Sequence, residues 1–371
     1  MKLYSTSDRG LTATFAEAVE LGIAPDGGLF MPALIPPMPP ALLDPRHSFQ
    51  EIAFEAALLL LGDEIPAAAL RTIVETSLTF PVPVRLLADD LAILELFHGP
   101  TLAFKDFGAR FMARTLSWLR RGSERETTVL VATSGDTGSA VAQGFHGVEG
   151  LAVILLYPSG RVSRIQELQL TTAGGTVTAL EIDGTFDDCQ RLVKQAFADQ
   201  DLSRRKNLTS ANSINIARLL PQAFYYLEAF VRLPHHDGPI VFSVPSGNLG
   251  NLTAGLIAWK MGLPVKRFIA ATNVNDVLPR YLATGRFAPA PAVPTLSNAM
   301  DVGNPSNLVR IIDLFGGDLE RMRGILSSVP HTDAETRAAI TDLFQSHGYA
   351  LDPHGAVGYL ALRDYRGRQD D

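Results

Sequence analysis

The segment His98–Arg110, HGPTLAFKDFGAR, contains one lysine, Lys105, with apolar residues on both sides and Asp106 directly after it. A lysine that forms an imine with an aldehyde must first lose its proton, and apolar surroundings favour the neutral amine. The competing interpretation is a solvated lysine at the start of an amphipathic helix, where most lysines lie. Other segments of the chain must decide between the two.

A glycine-rich loop, SGNLGN at 246–251, follows a predicted buried strand, Ile240–Pro245, and opens a predicted helix. Glycines let the backbone approach an anion closely, and the N–H groups at a helix start point toward it. The loop lacks the GxGxxG pattern and the Lys-Ser/Thr ending of nucleotide-binding loops. It therefore predicts a site for a small phosphorylated cofactor, with a structural tight turn as the alternative.

A second loop, TSGDTG at 133–138, has the same position between the predicted strand Thr127–Ala132 and a helix. Ser134, Thr137 and the backbone amides around them form a pocket suited to a carboxylate. Asp136 would repel such a ligand, so we expect it to accept a hydrogen bond from a cofactor hydroxyl or to fix the loop. The alternative is an ordinary aspartate helix cap.

A third polar segment, SANSINIAR at 210–218, interrupts an apolar stretch and ends at an arginine. Asn215 and Arg218 are three residues apart and share one face of a helix, where Arg218 could bind a phosphate through its bidentate guanidinium. Helix capping plus a surface arginine is the competing interpretation. Taken together, the lysine, the two anion pockets and this face indicate a phosphate-bearing aldehyde cofactor bound as an imine, which is pyridoxal 5'-phosphate chemistry.

The elements that position these residues alternate between apolar strands and helices without hairpin signals, which predicts an α/β fold with parallel sheets. Ligands of such sheets bind beyond the carboxyl ends of the strands, where both glycine-rich loops fall. Lys2–Ser5 is predicted as a short edge strand, and the Pro- and Ala-rich segment 284–306 as a long loop that could act as a lid. We predict an N-terminal domain at 1–90, a large domain at 91–125 and 205–371, and a small domain at 126–204.

Composition limits the classes of function. With 371 residues the chain is too long for one ordinary core, and its net charge of −7 argues against nucleic-acid and membrane-surface roles. Cys189 is the sole cysteine, which is typical of a reducing cytoplasm, and the N-terminus has no apolar signal segment. No HExxH, paired CxxC or other metal-spaced motif occurs.

Several further segments recur in one known family. These are MKLYSTSDRG and TFAEAVELGIAPDGGLFMP near the N-terminus, then HGPTLAFKDFGARFMAR, ATSGDTGSA, SANSINIARLLPQ, SVPSGNLGNLTAG and DPHGAVGY. In this order they resemble the threonine synthases of the longer bacterial and fungal type, which are fold type II pyridoxal-phosphate enzymes. The resemblance covers nearly the whole chain. Its glycine-rich loops are shared with related dehydratases, whereas the N-terminal block, HGPTLAFKD and NSINIAR are more specific.

This resemblance implies a fold and a reaction. The fold has parallel-sheet large and small domains plus an N-terminal domain, and the reaction converts O-phospho-L-homoserine and water into L-threonine and phosphate. Lys105 is implied to bind the cofactor as an imine and to move protons at the substrate Cα and Cβ. The implied cofactor-phosphate ligands are Gly247, Asn248, Leu249, Gly250 and Asn251. Ser134, Asp136 and Thr137 are implied to face the substrate carboxylate and the cofactor ring hydroxyl, and Ser213, Asn215 and Arg218 the substrate phosphate.

One departure concerns the C-terminus. Longer members continue past the last predicted helix to a Thr-Ala-His-Pro-Ala-Lys pattern whose hydroxyl contacts the pyridine nitrogen, whereas this sequence ends at Arg366–Asp371. Either the sequence is a piece of a longer chain or another residue takes that role. Two alternative functions stay open: a related lyase or dehydratase that releases a 2-keto acid, and a cofactor-binding homologue without full activity. The sequence does not decide between a monomer and a homodimer.

Overall fold

A computed structural model describes residues 1–133, 135–233 and 238–367. The strands are β1 Lys2–Ser5, β2 Thr12–Thr14, β3 Phe30–Pro32, β4 Val84–Ala88, β5 Leu91–Leu94, β6 Thr127–Ala132, β7 Leu151–Pro158, β8 Val177–Ile182, β9 Leu208–Thr209, β10 Ile240–Pro245, β11 Val265–Thr272 and β12 Leu326–Pro330. The helices are α1 Phe15–Leu21, α2 Phe49–Leu61, α3 Ala67–Ser77, α4 Lys105–Arg120, α5 Asp136–Phe145, α6 Arg164–Thr171, α7 Phe186–Ala198, α8 Gln200–Lys206, α9 Ile216–Leu219, α10 Gln222–Arg232, α11 Gly250–Lys260, α12 Val277–Thr284, α13 Leu308–Leu314, α14 Leu319–Ile325, α15 Asp333–His347 and α16 Pro353–Gly367.

The chain divides into two compact units. The first comprises Met1–Pro83 with Leu94–Arg232, and the second comprises Val84–Ile93 with Leu233–Asp371. The finer division into N-terminal, large and small domains stays a prediction. No helix in the described ranges is long and apolar enough to cross a membrane.

The first unit contains a parallel sheet in the order β8-β7-β6-β9. One of its two inner strands, β6, TTVLVA, is buried along its whole length, as an apolar run in a parallel sheet should be. Helix α7 packs Cys189 and Val193 in one apolar cluster with Leu130 and Leu156 of the sheet. Burial on both sides of β6 therefore fixes where the loop after it begins.

The N-terminal strands of this unit form a separate antiparallel sheet in the order β2-β1-β3. The prediction that Lys2–Ser5 is an edge strand was wrong, because β1 pairs on both sides. Its partners, Thr12–Thr14 and Phe30–Pro32, are each three residues long. Such short strands give little periodic pattern from which the pairing could be predicted.

The second unit contains the parallel sheet β10-β11-β12. Helix α16 packs Val357 and Ala361 against Ile269 and Ala271 of β11 in an apolar cluster. The carboxyl ends of its three strands lead into loops at 246–249, 273–276 and 331–332. Both units thus have the predicted parallel α/β organisation, which confirms the fold class.

The segment at 284–306 is held to the second unit by hydrogen bonds. Asn273 donates from Nδ2 to Thr295 Oγ1 at 2.8 Å and to Asp301 Oδ1 at 2.9 Å. Asn275 donates from Nδ2 to the Val293 carbonyl at 2.9 Å. Burial raises the pKa of the Asp301 carboxyl, while the hydrogen bonds that it accepts from Thr295 and Asn273 lower it. A lid role for this segment stays a prediction.

Candidate active site

Lys105 is the first residue of α4, and its amine faces a carboxylate. Lys105 Nζ donates to Asp136 Oδ2 at 3.0 Å, and the Lys105 side chain is 16% exposed. Nζ also lies 5.0 Å from the centre of the Phe104 ring. The competing interpretation of a solvated surface lysine was therefore wrong: the amine is largely enclosed and has an acidic partner.

Aromatic packing behind the lysine fixes the start of α4. Phe107 is fully buried, and its ring makes edge contacts with the rings of Phe49, Phe80 and Tyr225 at 6.0, 4.7 and 5.2 Å between centroids. Such edge-to-face arrangements are favourable beyond the area they bury. The apolar setting predicted around Lys105 thus exists, but it lies behind the helix turn and leaves the amine facing Asp136.

Asp106, the neighbouring charge, has a structural contact of its own. It is fully buried and accepts hydrogen bonds from the Thr101 backbone N–H at 2.9 Å and from Thr101 Oγ1 at 2.7 Å. Burial raises the pKa of the Asp106 carboxyl, and the Thr101 hydrogen bonds work in the opposite direction. Asp106 therefore ties the loop that precedes Lys105 to the first turn of α4.

Gln166 completes this cluster and was missed by the sequence reasoning. Its Nε2 donates to Asp136 Oδ1 at 2.8 Å, so each carboxylate oxygen of Asp136 has its own donor. Gln166 Oε1 also accepts from the Ser163 N–H at 3.1 Å within a capping box at the start of α6. The Ser-x-x-Gln pattern could have predicted the helix start, but the contact with Asp136 depends on the pairing of β6 with β7.

The loop before Asp136 is held by a buried threonine. Thr133 Oγ1 accepts from the Gly138 N–H at 2.8 Å and from the Gly135 N–H at 3.1 Å. Gly135 has a φ of 147°, and a Cβ there would lie 2.5 Å from Gln166 Nε2. Thr137 is half-buried in the first turn of α5. The predicted site residue Ser134 lies outside the described residues.

Asn215 is fully buried and acts as the N-cap of α9. Its Oδ1 accepts from the Ala217 N–H at 3.0 Å, and its Nδ2 donates to the carbonyls of Val19 at 2.9 Å and Ser210 at 3.0 Å. These hydrogen bonds link α9 to α1. Ser213, two residues earlier, is half-buried. Contact of either residue with a substrate phosphate stays a prediction.

Arg218 is buried, so the alternative of a surface arginine was wrong. The residue is 3% exposed, and its Nη1 donates to the Ala211 carbonyl at 2.6 Å. Nε has no hydrogen-bond partner among the described residues. Burial lowers the pKa of Arg218 to about 10, while Asp106 acts in the opposite direction. An unpaired donor on a buried cation is costly, which makes this N–H a candidate ligand for an anion.

The loop 246–251 of the second unit has the features of a phosphate cradle. It follows β10, and the Ser246 N–H still donates to the Ala271 carbonyl of β11 at 2.8 Å. Leu249 is left-handed, with φ 62°, and α11 begins at the next residue, Gly250. A Cβ on Gly247 would lie 2.8 Å from Met300 Cα, so only glycine fits this close approach of two backbones. The free N–H groups of a helix start bind anions, and these residues fit a phosphate.

The two asparagines of this loop differ in their surroundings. The Asn248 Oδ1 accepts from the Ser306 N–H at 2.6 Å. The Asn248 backbone carbonyl accepts from Asn307 Nδ2 at 2.9 Å. Asn251 is half-buried in the first turn of α11. The Asn248 side chain is thus engaged with the segment before α13. Within the described residues, no group of three His, Cys, Asp or Glu side chains could hold a metal ion.

Known proteins match this chain along nearly its whole length. A family model described as pyridoxal-phosphate dependent enzyme matches residues 82–371, and one described as threonine synthase N terminus matches residues 2–78. Threonine synthase of Serratia marcescens is 46% identical over 98% of this chain and 85% of its own length. The chain belongs to the threonine synthase family of pyridoxal-phosphate-dependent enzymes.

Solved structures of the family agree with this assignment. Threonine synthase from Escherichia coli matches with a TM-score of 0.92 and 46% identity, over 98% of this chain and 85% of that one. Threonine synthase from Brucella melitensis, described as bound to pyridoxal phosphate, matches with a TM-score of 0.91 and 36% identity over the same shares. The family resemblance, the fold type II architecture and the pyridoxal-phosphate cofactor predicted from the sequence are thereby confirmed.

Proposed function

We propose that this chain converts O-phospho-L-homoserine and water into L-threonine and phosphate, with Lys105 as the residue that moves protons. The observation that carries the proposal is the ion pair between Lys105 and Asp136, at the carboxyl edge of the sheet, in a chain of the threonine synthase family. Pyridoxal phosphate, when bound, would delocalise the negative charge that develops on the substrate carbons.

The overall reaction moves protons at three carbons. One proton leaves Cα and one leaves Cβ, phosphate departs from Cγ, and protons return to Cγ and Cα. Water supplies the hydroxyl at Cβ, and its second proton goes to the departing phosphate. A base near these carbons must therefore accept and return protons repeatedly. Lys105 is our candidate for that base, and Asp136 Oδ2, which accepts from its Nζ at 3.0 Å, holds the amine in place.

The remaining site residues bind and orient. The loop Gly247, Asn248, Leu249, Gly250 and Asn251 would hold the cofactor phosphate through backbone N–H groups. Arg218 would bind the substrate phosphate, which is supported by an Nε that has no hydrogen-bond partner in the described part of the chain. Thr137, the backbone amides at the start of α5 and Ser134 would take the substrate carboxylate. Gln166 fixes the orientation of the Asp136 carboxylate by occupying its second oxygen.

The test is product analysis with the purified protein, pyridoxal phosphate and O-phospho-L-homoserine. Threonine and phosphate released in equal amounts would support the proposal. Phosphate released with an equal amount of 2-oxobutyrate would assign the chain to the related lyases instead. A protein that binds the cofactor but releases no phosphate would contradict the proposal and support a binding function.

A further inference from the structure

Arg310, on α13, is the largest fully buried side chain in the described part of the protein. Burial lowers the pKa of its guanidinium to about 9, so the group keeps its positive charge at neutral pH. A buried cation destabilises a fold unless neighbouring groups accept its hydrogen bonds or balance its charge. Arg310 has none of the proposed catalytic roles.

The guanidinium acts on a neighbouring amide. Arg310 Nη1 donates to Asn307 Oδ1 at 2.8 Å, and Asn307 is itself fully buried. Because the amide oxygen faces the arginine, the amide nitrogen must point the other way. Asn307 Nδ2 accordingly donates to the Asn248 carbonyl at 2.9 Å. The arginine therefore fixes which end of the Asn307 side chain meets the glycine-rich loop.

The Asn248 carbonyl belongs to the peptide unit whose N–H is that of Leu249. In a trans peptide the C=O and the N–H point in opposite directions, so fixing one aims the other. The Asn307 N–H also approaches the Asn248 carbonyl, at 3.4 Å. Hydrogen bonds to a carbonyl polarise the peptide and strengthen its N–H as a donor. Leu249 is the left-handed N-cap of α11, where such a donor faces the anion site of a helix start.

We infer that Arg310 is a positioning residue of the phosphate site: through Asn307 it aims and polarises the Asn248–Leu249 peptide, so that the Leu249 N–H binds a phosphate monoester. This inference rests on the proposed use of the loop for the cofactor phosphate. The positive charge of Arg310 adds long-range attraction for the phosphate dianion, since charges inside a protein are weakly screened.

The experiment compares two ligands on the apoprotein. Pyridoxal phosphate and pyridoxal share the aldehyde that reacts with a lysine, but only the first has a phosphate. Visible absorbance gives the dissociation constant of each for the wild-type protein and for Arg310→Met. Residues behind the direct ligands of a metal ion typically contribute about 10-fold to 100-fold in affinity, and we take the same scale for this anion. On that scale, we expect Arg310→Met to weaken the binding of pyridoxal phosphate by at least about tenfold and to leave the affinity for pyridoxal unchanged.

Arg267→Met is the matched control, because Arg267 is a half-buried arginine of the same unit that donates to the Arg323 carbonyl. It should leave both affinities unchanged. Arg310→Lys retains the cation and should show the same selective loss by a smaller factor, and it replaces Arg310→Met if that variant does not fold.

Three outcomes would count against the inference. Equal losses for the two ligands in both Arg310 variants would show a general structural role and overturn it. An unchanged preference for pyridoxal phosphate in a folded Arg310 variant would overturn it while leaving the proposed function intact. A wild-type protein that binds neither ligand would overturn the proposed function and the inference with it.

Discussion

Lys105 Nζ and Asp136 Oδ2 lie 3.0 Å apart, so the first residues of two successive helices, α4 and α5, are joined by an ion pair. The lysine is 31 residues from its partner in the chain. The pair holds the amine at the carboxyl edge of a parallel sheet, where ligands of such folds bind.

Replacing the lysine tests the centre of the proposal. We expect Lys105→Ala to lose the visible absorbance of lysine-bound cofactor and to lower the rate of phosphate release by at least about a thousandfold. Lys194→Ala, which removes an exposed lysine of the same unit, should keep both. Absorbance spectra and a phosphate assay measure the two effects. Turnover of Lys105→Ala within tenfold of wild type would remove this residue from the mechanism.

Gln166 should matter for turnover more than for folding. Gln166→Ala removes the donor to Asp136 Oδ1, and we expect kcat/KM to fall by about tenfold, since hydrogen bonds to charged groups contribute about 1.5 to 3 kcal/mol. Ser163→Ala is the control: it weakens the same capping box without touching Asp136. It should cost about 1 kcal/mol in the free energy of unfolding and leave kcat/KM nearly unchanged. If the two variants lower kcat/KM equally, the effect comes from α6 and not from Asp136.

Arg218 is expected to act on the substrate. Arg218→Met replaces a buried guanidinium by an apolar chain, and we expect it to raise the KM for O-phospho-L-homoserine by at least about tenfold, because a charge-assisted contact with the phosphate is lost. The affinity for pyridoxal phosphate should stay the same. Steady-state kinetics and a cofactor titration separate the two. An unchanged KM in a folded variant would show that Arg218 does not bind the substrate phosphate.

Asn215 is expected to show the opposite pattern. Its side chain makes three internal hydrogen bonds, to Ala217, Val19 and Ser210. Asn215→Ala leaves buried backbone groups without these partners, and we expect the free energy of unfolding to fall by about 2 kcal/mol or more. Urea unfolding measures this loss. A variant with wild-type stability and a raised KM would instead favour direct contact with the substrate.

The phosphate loop allows a test with two glycines. In Gly247→Ala the new methyl would lie 2.8 Å from Met300 Cα, so the loop must move, and we expect the affinity for pyridoxal phosphate to fall by about tenfold or more. Gly324→Ala is the control, because nothing lies within 4 Å of a Cβ at that helical position. It should stabilise α14 by about 0.5 to 1 kcal/mol and leave cofactor affinity unchanged. Equal affinities in the two variants would argue against the loop as the phosphate site.

The burial of His331 predicts that acid lowers the stability of the second unit. It is 4% exposed, and neither ring nitrogen has a hydrogen-bond partner within the described ranges. Burial lowers the pKa of His331 below its ordinary 6.5, while the carboxylates of Asp364 and Glu335 raise it and Arg363 lowers it further. The unfolded chain therefore binds the proton more readily than the folded chain. The contribution of His331 to the free energy of unfolding is complete above about pH 6.5 and falls as the pH drops below that value.

The measurement is urea unfolding at pH 7.5 and pH 5.5. The free energy of unfolding should fall less on acidification in His331→Phe than in the wild-type protein, because the phenyl ring does not titrate. His347→Phe, which removes an exposed histidine at the end of α15, should behave like wild type. Equal losses in all three proteins would show that other groups cause the acid sensitivity.

Much of the fold follows from local patterns. The strands Thr127–Ala132 and Ile240–Pro245 have the predicted bounds, because buried parallel strands are continuous apolar runs that end where glycine-rich loops begin. The three-residue partners of β1 were not predictable in the same way. A strand of that length has no periodicity of its own, and its pairing depends on its contacts with β1 and not on its own three residues.

The sequence by itself determined the kinds of chemical group at the site: an imine-forming lysine, two loops that open helices, and the family to which the chain belongs. These depend on local spacing and residue type. Only the tertiary structure decided which groups meet. Gln166 reaches Asp136 across 30 residues, and Asn307 reaches Asn248 across 59, while Arg218 is buried where its sequence allowed a surface position. The physical reason is that side-chain hydrogen bonds and burial depend on which strands and helices pack together, and adjacency in a parallel sheet joins residues that are distant in the chain.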